Sequence, residues 1–192
     1  MTASGHDEAR ALALYLWNVR LGEAFHLPIQ AVEVASRNRI SRALSSAFGV
    51  DWWDDCRFLA MLDTHRKEDI DEARRRVTSK RLPLVTGQIV AGLSFGFWVA
   101  MLDRRYNPAL WSAYLRSAFP DLPGTQDRKS LQERLRGISK FRNRIWHHEP
   151  IFKDDISFRY SECIETLGWL CRHKVAWIRP ECRVMAVLRT KP

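Results

Sequence analysis

Apolar residues recur at three- and four-residue intervals along almost the whole chain, while alternating runs of β-branched residues bounded by turn residues are missing. That periodicity is helical, so the pattern predicts an all-α protein, a bundle of about seven to nine helices without strands. A first helix is expected from about Asp7 to His26, stopping near Pro28 and burying Leu12, Tyr15, Leu16 and Val19. A second runs from about Pro28 to Phe48, with proline tolerated in its first turn and Gly49 as its terminator. Beyond a connection built on Trp52 and Trp53 come a short helix through Phe58 to Leu62 and a charged one from about Arg66 to Thr78.

The segment Leu82–Leu102 carries no charge over 21 residues and is flanked by Arg81 and by Asp103-Arg104-Arg105. It meets the length criterion for a membrane span. Pro83, Thr86, Gln88 and Ser94 dilute its apolarity, and the preferred reading is a central helix buried on most sides, with glycines letting neighbours approach closely. A helix from Tyr106 to Ala118 should face Leu110, Trp111, Tyr114 and Leu115 inward, and Phe119–Gln126 is the clearest loop. Ser130 followed by Glu133 predicts a capping box that opens a helix ended by Glu149-Pro150. A last helix is expected from about Asp155 to Trp177, followed by a short basic tail. Trp17, Trp98, Trp111 and Trp169 each lie on an apolar stripe and should be core.

With 46% apolar and 28% charged residues in 192, the chain can bury a sizeable core as one domain over residues 1–192, with 1–6 and 189–192 loose. Cys56, Cys163, Cys171 and Cys182 form no C-x-x-C pair and show no zinc spacing, and the N-terminus does not read as a signal peptide. These features point to a cytoplasmic protein with free, mostly buried thiols, no metal and no cofactor. The net charge of +9 is uneven: residues 1–72 hold 8 Lys/Arg against 12 Asp/Glu and residues 73–192 hold 23 against 10, giving −4 and +13. Clusters at Arg74-Arg75-Arg76, Lys80-Arg81, Arg104-Arg105 and from Arg128 to Arg144 suit a phosphate backbone, and equally a solvated basic face.

Candidate chemistry concentrates in Phe-Arg-Asn-Arg-Ile-Trp-His-His-Glu-Pro, residues 141–150. At roughly 100° per residue, Leu131, Leu135, Ile138 and Ile145 fall in one stripe of about 80°, and Arg142 falls inside it. A guanidinium in an apolar stripe needs partners or a cavity. His147 lies roughly 140° round the helix from Arg142, so the two diverge, whereas Asn143 is on its side and could orient the imidazole. These residue types suit metal-independent RNA cleavage, with histidine moving protons and arginine stabilising the phosphorane. Two copies related by a twofold axis could unite the diverging groups in one cleft. Arg136, Lys140, Arg144 and Trp146 are the candidate RNA contacts. Capping and ion pairing at a helix end is the competing role for the same residues.

Several stretches together carry a resemblance: Ala-Leu-Tyr-Leu-Trp-Asn at 13–18, Glu33-Val-Ala-Ser-Arg37-Asn38, Leu93-Ser-Phe-Gly-Phe-Trp98, and Arg142-Asn-Arg-Ile-Trp-His-His-Glu-Pro-Ile-Phe152. In order and spacing, over about residues 13–170, they look like the Abi-like (abortive infection) family, and the last is similar to the R-x4-6-H signature of the HEPN superfamily. The resemblance implies a helical bundle, homodimerisation with the signature at the dimer cleft, and in active members a metal-independent endoribonuclease leaving cyclic phosphate ends, in phage defence or as a toxin with a cognate antitoxin. By position, Arg142 and His147 match the signature's arginine and histidine, Asn143 its polar residue, and His148 is a second candidate histidine. Glu33 and Arg37 match a charged pair, for which a plain intrahelical salt bridge is the expected role and support of the site the alternative. Trp146 departs from the pattern, where a small residue is expected; its indole narrows the cleft or offers a stacking platform. A non-catalytic RNA-binding or protein-interaction module of the same fold is the competing function, and a membrane-associated effector using Leu82–Leu102 is the third.

Overall fold

The computed structural model describes residues 3–192, with side chains from residue 7 onward. Residues 1 and 2 and the side chains of 3–6 lie outside the described set; of the expected loose start, 1–6, the backbone from residue 3 opens the first helix. Among the described residues every regular element is helical: nine α-helices, four short 3-10 turns and one π-helix.

The first helix differs most from expectation. α1 is a single helix, Ala3–Phe48, which at 1.5 Å per residue is about 70 Å long and runs through Pro28. Proline there removes one backbone donor, a cost normally large enough to end a helix. Here it is offset because the apolar stripe does not break: Trp17, Leu21, Phe25, Ile29, Val32 and Ile40 are all buried, and Pro28 is buried among them. Each side chain of this size contributes about 1.5–3 kcal/mol on burial, so the stripe outweighs the lost bond. The expected buried face is instead solvent-facing, with Leu12, Tyr15, Leu16 and Val19 all exposed. Trp17, between them in sequence, takes the core side, and its indole N–H donates to the Val187 carbonyl at 2.8 Å. Gly49 does end the helix, in the left-handed conformation at φ +93°.

Trp52 and Trp53 are buried in a 3-10 turn and pack the connection, as expected. α2 (Cys56–Met61) and α3 (Thr64–Ser79) follow, capped by the carboxylates of Asp55 and Asp63. The uncharged segment is not one central helix. It breaks into α4 (Thr86–Gly92) and α5 (Phe95–Ala100), because Ser94 turns out to cap α5, its hydroxyl accepting the Phe97 amide at 3.1 Å. Leu82, Leu84 and Val85 are exposed ahead of α4. Among the described residues no helix is long and apolar enough to cross a membrane. Gly92 does permit a close approach, since a Cβ there would meet that of Ala73 on α3 at 3.3 Å.

The expected helix over Tyr106–Ala118 is a 3-10 turn, a nine-residue π-helix (Asn107–Leu115) and a second 3-10 turn. Wider π turns bring Leu110 and Leu115, five apart, onto the buried face with Trp111, while Tyr114 stays partly exposed. α6 (Arg128–Trp146) begins one turn earlier than the Ser130/Glu133 box implied: Asp127 is the cap, and Ser130 reciprocates from the third helical position. The final helix is likewise split, into α7 (Ile156–Leu170) and α8 (Arg172–Ile178), by Cys171 in an extended conformation, with α9 (Val184–Leu188) behind them.

Around α1 pack α5, α6, α7, α8 and α9, and the apolar residues from Trp17 to Val184 form one cluster that includes Trp98, Trp111 and Trp169. Arg39 of α1 ties the frame from one point, donating to the carbonyls of Leu170 and Ala118 at 2.9 and 3.1 Å, so a cation meets the open carbonyl end of α7. All four cysteines are free, but only Cys163 is fully buried and Cys56 is exposed, against the expectation of mostly buried thiols.

Candidate functional site

α6 is amphipathic: Leu131, Leu135, Ile138 and Phe141 are buried against α1, α5 and α7. Its far end lies on the first half of α1. Phe25 and Phe141 meet edge to face at 4.9 Å, and Gly22 lets the helices close up, since a Cβ there would sit 3.3 Å from Ile145. Residues 142–151 are thereby laid along α1.

Arg142 interrupts the stripe and finds partners in two directions. Its Nε is 3.5 Å from a Glu33 carboxylate oxygen, close enough to pair in charge but not aligned as a hydrogen bond. Its guanidinium lies 4.8 Å from the centre of the Trp146 ring, and Trp146 in turn stacks on His26, with centroids 5.4 Å apart and planes 22° from parallel. Glu33 thus supports Arg142; no ion pair joins it to Arg37, which bonds Asn38 at 3.4 Å instead. The intrahelical bridge is not formed among the described residues. Asn143 accepts from Arg142 at 3.4 Å through its side chain, and it holds His147 only through its backbone carbonyl, at 2.8 Å.

The helix ends three residues before Glu149. His147 is its C-cap; the His148 amide bonds the Ile145 carbonyl at 3.0 Å and the Glu149 amide bonds the Arg144 carbonyl at 2.9 Å. This double bond is the Schellman arrangement, in which the residue at the position of His148 must be left-handed. His148 has φ +57°. Glycine or asparagine is the usual choice there, and a side chain with Cβ costs roughly 1–2 kcal/mol. A histidine held in this conformation is the kind of local strain that clusters at functional sites. It was visible in the sequence only as the second histidine of a pair.

Arg144 locks the turn. It donates twice to Asp154 at 2.8 Å, to Glu149 at 3.0 Å and to the Pro150 carbonyl at 2.9 Å, and its guanidinium is held above its ordinary pKa by the Asp154 carboxylate first and by Glu149. Asp154 continues to Arg159 at 3.5 Å, which reaches the buried Glu162 of α7 at 3.1 Å. The Ile151 amide is received by Asn18 of α1 at 2.8 Å. With all three of its guanidinium nitrogens bonded to the chain, Arg144 is part of the scaffold.

The turn and α1 enclose a cleft of about 580 Å³, lined on the α1 side by Tyr15, Asn18, Val19, Glu23 and His26 and on the other by Ile145, Trp146, His148 and Glu149. Its volume is in the range of small-molecule sites. His148 lines the cleft and His147 does not. His26, Glu23 and Asn18 are the residues that sequence reasoning missed; the signal was their four-residue register with Tyr15, Val19 and Gly22, which places them on one side of α1.

The basic clusters fare unequally. Arg74, Arg75 and Arg76 pair with Asp54, Asp71 and Glu72, and Arg105 with Asp63. Arg136 sits 3.8 Å from Asp103, while Lys140, Lys80, Arg81 and Arg104 are exposed and form no ion pair among the described residues. No cluster of three or more metal-ligating side chains occurs among the described residues. No family model, curated protein or solved structure matches the chain.

Proposed function

We propose that this chain is a metal-independent endoribonuclease of the HEPN type, acting in the cytoplasm in phage defence or as a toxin restrained by a cognate antitoxin. The observation that carries the reading is the end of α6, where an arginine with a supporting carboxylate and two adjacent histidines, one of them held left-handed on a cleft, occur within seven residues. In the reaction, one imidazole takes the proton of the ribose 2′-hydroxyl as its oxygen attacks the phosphorus. Arg142 balances the charge on the phosphorane, and an imidazolium gives a proton to the departing 5′-oxygen, leaving a 2′,3′-cyclic phosphate and a 5′-hydroxyl. His148 serves on the cleft side, and His147 is the second imidazole. Lys140 and Arg136 guide the backbone, and Trp146 stacks on a base.

A homodimer belongs to this reading. The exposed stripe of Leu12, Tyr15, Leu16 and Val19 adjoins the cleft through Tyr15 and Val19, and a second copy covering it would bring two clefts together. Sedimentation at micromolar concentration tests this, with Leu16→Glu expected to shift the protein to monomer.

The deciding experiment incubates the protein with total and structured RNA in EDTA, beside Arg142→Ala, His147→Ala and His148→Ala. Cleavage in chelator that all three substitutions abolish is the expected result. Cleavage only with added metal refutes the mechanism. One observation favours a second reading: neither His147 nor His148 has a side-chain hydrogen bond among the described residues to fix its tautomer, as a non-catalytic RNA-binding module would tolerate. Salt-dependent binding without cleavage selects that module.

A further inference from the structure

The cleft's lining says more about its occupant than the signature does. Its walls are largely apolar, with the rings of Tyr15 and Trp146 and the side chains of Val19 and Ile145, and its acidic members are two carboxylates, Glu23 and Glu149. Among the described residues no lysine or arginine lines the cleft to receive a phosphate; Arg144 is committed to Glu149 and Asp154, and Arg142 lies against Trp146 and Glu33, outside the lining. A phosphate near Arg142 therefore leaves its neighbouring base to enter the cleft.

The two carboxylates are not equivalent. Glu149 is already bonded to Arg144 at 3.0 Å. Glu23 has no hydrogen bond or ion pair among the described residues and is exposed to the cleft beside His26. An ionised carboxylate only accepts hydrogen bonds and can take two parallel donors. Among the four RNA bases, only guanine presents two adjacent N–H donors, N1–H and the N2 amine, on its pairing edge; adenine and cytosine present one donor beside an acceptor, and uracil one donor between two acceptors.

We propose that the cleft is a guanine subsite, in which the base packs against Tyr15, the stacked His26–Trp146 pair and the apolar wall and offers its N1–H and N2–H to Glu23. The assignment deepens the ribonuclease reading by naming the preferred nucleotide and rests on it for the position of the phosphate. Base stacking on aromatic rings is tolerant of sequence, so selectivity falls to the carboxylate, and a two-point contact discriminates by about tenfold or more.

The test is equilibrium binding of 3′-GMP, 3′-IMP, 3′-AMP and 3′-UMP to the full chain by calorimetry, repeated with Glu23→Gln and Glu149→Gln. Inosine keeps N1–H and lacks the amine, so it isolates the second donor. The expected result is 3′-GMP bound at least about tenfold more tightly than the others, with that preference lost in Glu23→Gln, whose amide replaces one acceptor by a donor, and retained in Glu149→Gln. Equal binding of all four, or no binding of any, overturns the subsite. So does loss of preference in Glu149→Gln alone, or tighter binding of tetramethylammonium, which would mark an aromatic cage for an organic cation. Cleavage in EDTA without any preference for guanine leaves the ribonuclease reading standing and removes this one. Guanine-selective binding without cleavage does the reverse.

Discussion

Replacing Arg144 by alanine removes the residue that fixes the turn carrying His147, His148 and Glu149. The guanidinium makes four hydrogen bonds, and its side chain is 33% exposed, against 15% for Asp154. An ion pair in open solvent contributes about 0.2–1 kcal/mol. Removing one partner from a fully buried pair costs 3–5 kcal/mol. This pair lies between the limits: Asp154 would keep Arg159 at 3.5 Å as a weaker partner, and the exposed Glu149 would return to water. A loss of about 2 kcal/mol follows, which for a chain of 192 residues lowers the melting temperature by roughly 4–8 °C. Urea unfolding followed by circular dichroism measures the first figure and a thermal scan the second. Arg144→Lys should recover less than half, because an ammonium cannot hold Asp154 at two points and reach Pro150 as well. If Arg144→Ala unfolds within 0.5 kcal/mol of the wild type, the clamp is not a stabilising element and the turn is held by its Schellman bonds alone.

Removing the cap of the same helix, Asp127→Ala, should cost about 1 kcal/mol by urea unfolding. The Ser130 backbone N–H and hydroxyl hold the Asp127 carboxyl below its ordinary 3.8, so the cap's contribution is complete above that value and is lost as pH falls through the lower folded value. The stability difference between wild type and variant should accordingly narrow on acidification below about pH 4; an unchanged gap at pH 2 contradicts the assignment. His148→Gly relieves the left-handed strain and should leave stability equal or higher by up to about 1 kcal/mol, whereas His147→Gly, at φ −88°, should only destabilise. Thiol labelling of the native protein should modify exposed Cys56 first. Cys163, its thiol pushed up to about 12 by burial and the nearby Glu162, should react only on unfolding; rapid native labelling of Cys163 would contradict its burial.

What the residues determined by themselves is local. The helical period identified nearly every segment that is helical, the tryptophans at 17, 98, 111 and 169 were recognisable as core, and Gly49 as a stop, because each depends on spacing or on a single residue's conformational freedom. The same period also put Arg142 in an apolar stripe, so the need for a partner was legible before the partner was. Where sequence reasoning failed, a distant element decided. Pro28 reads as a breaker, but the stripe from Trp17 to Ile40 continues through it against α7. Leu12, Tyr15, Leu16 and Val19 form as good an apolar face as Trp17, Leu21 and Phe25; α9 meets Trp17 and α6 meets Phe25, while the first set is left in solvent. Glu33 could have paired with Arg37 four residues on, yet it meets Arg142 across the α1–α6 contact. His26 and Trp146, 120 positions apart, stack because Gly22 lets those two helices touch. Periodicity specifies which side of a helix is apolar but not which of two apolar sides another helix will cover, and a cleft between helices exists only once that choice is made.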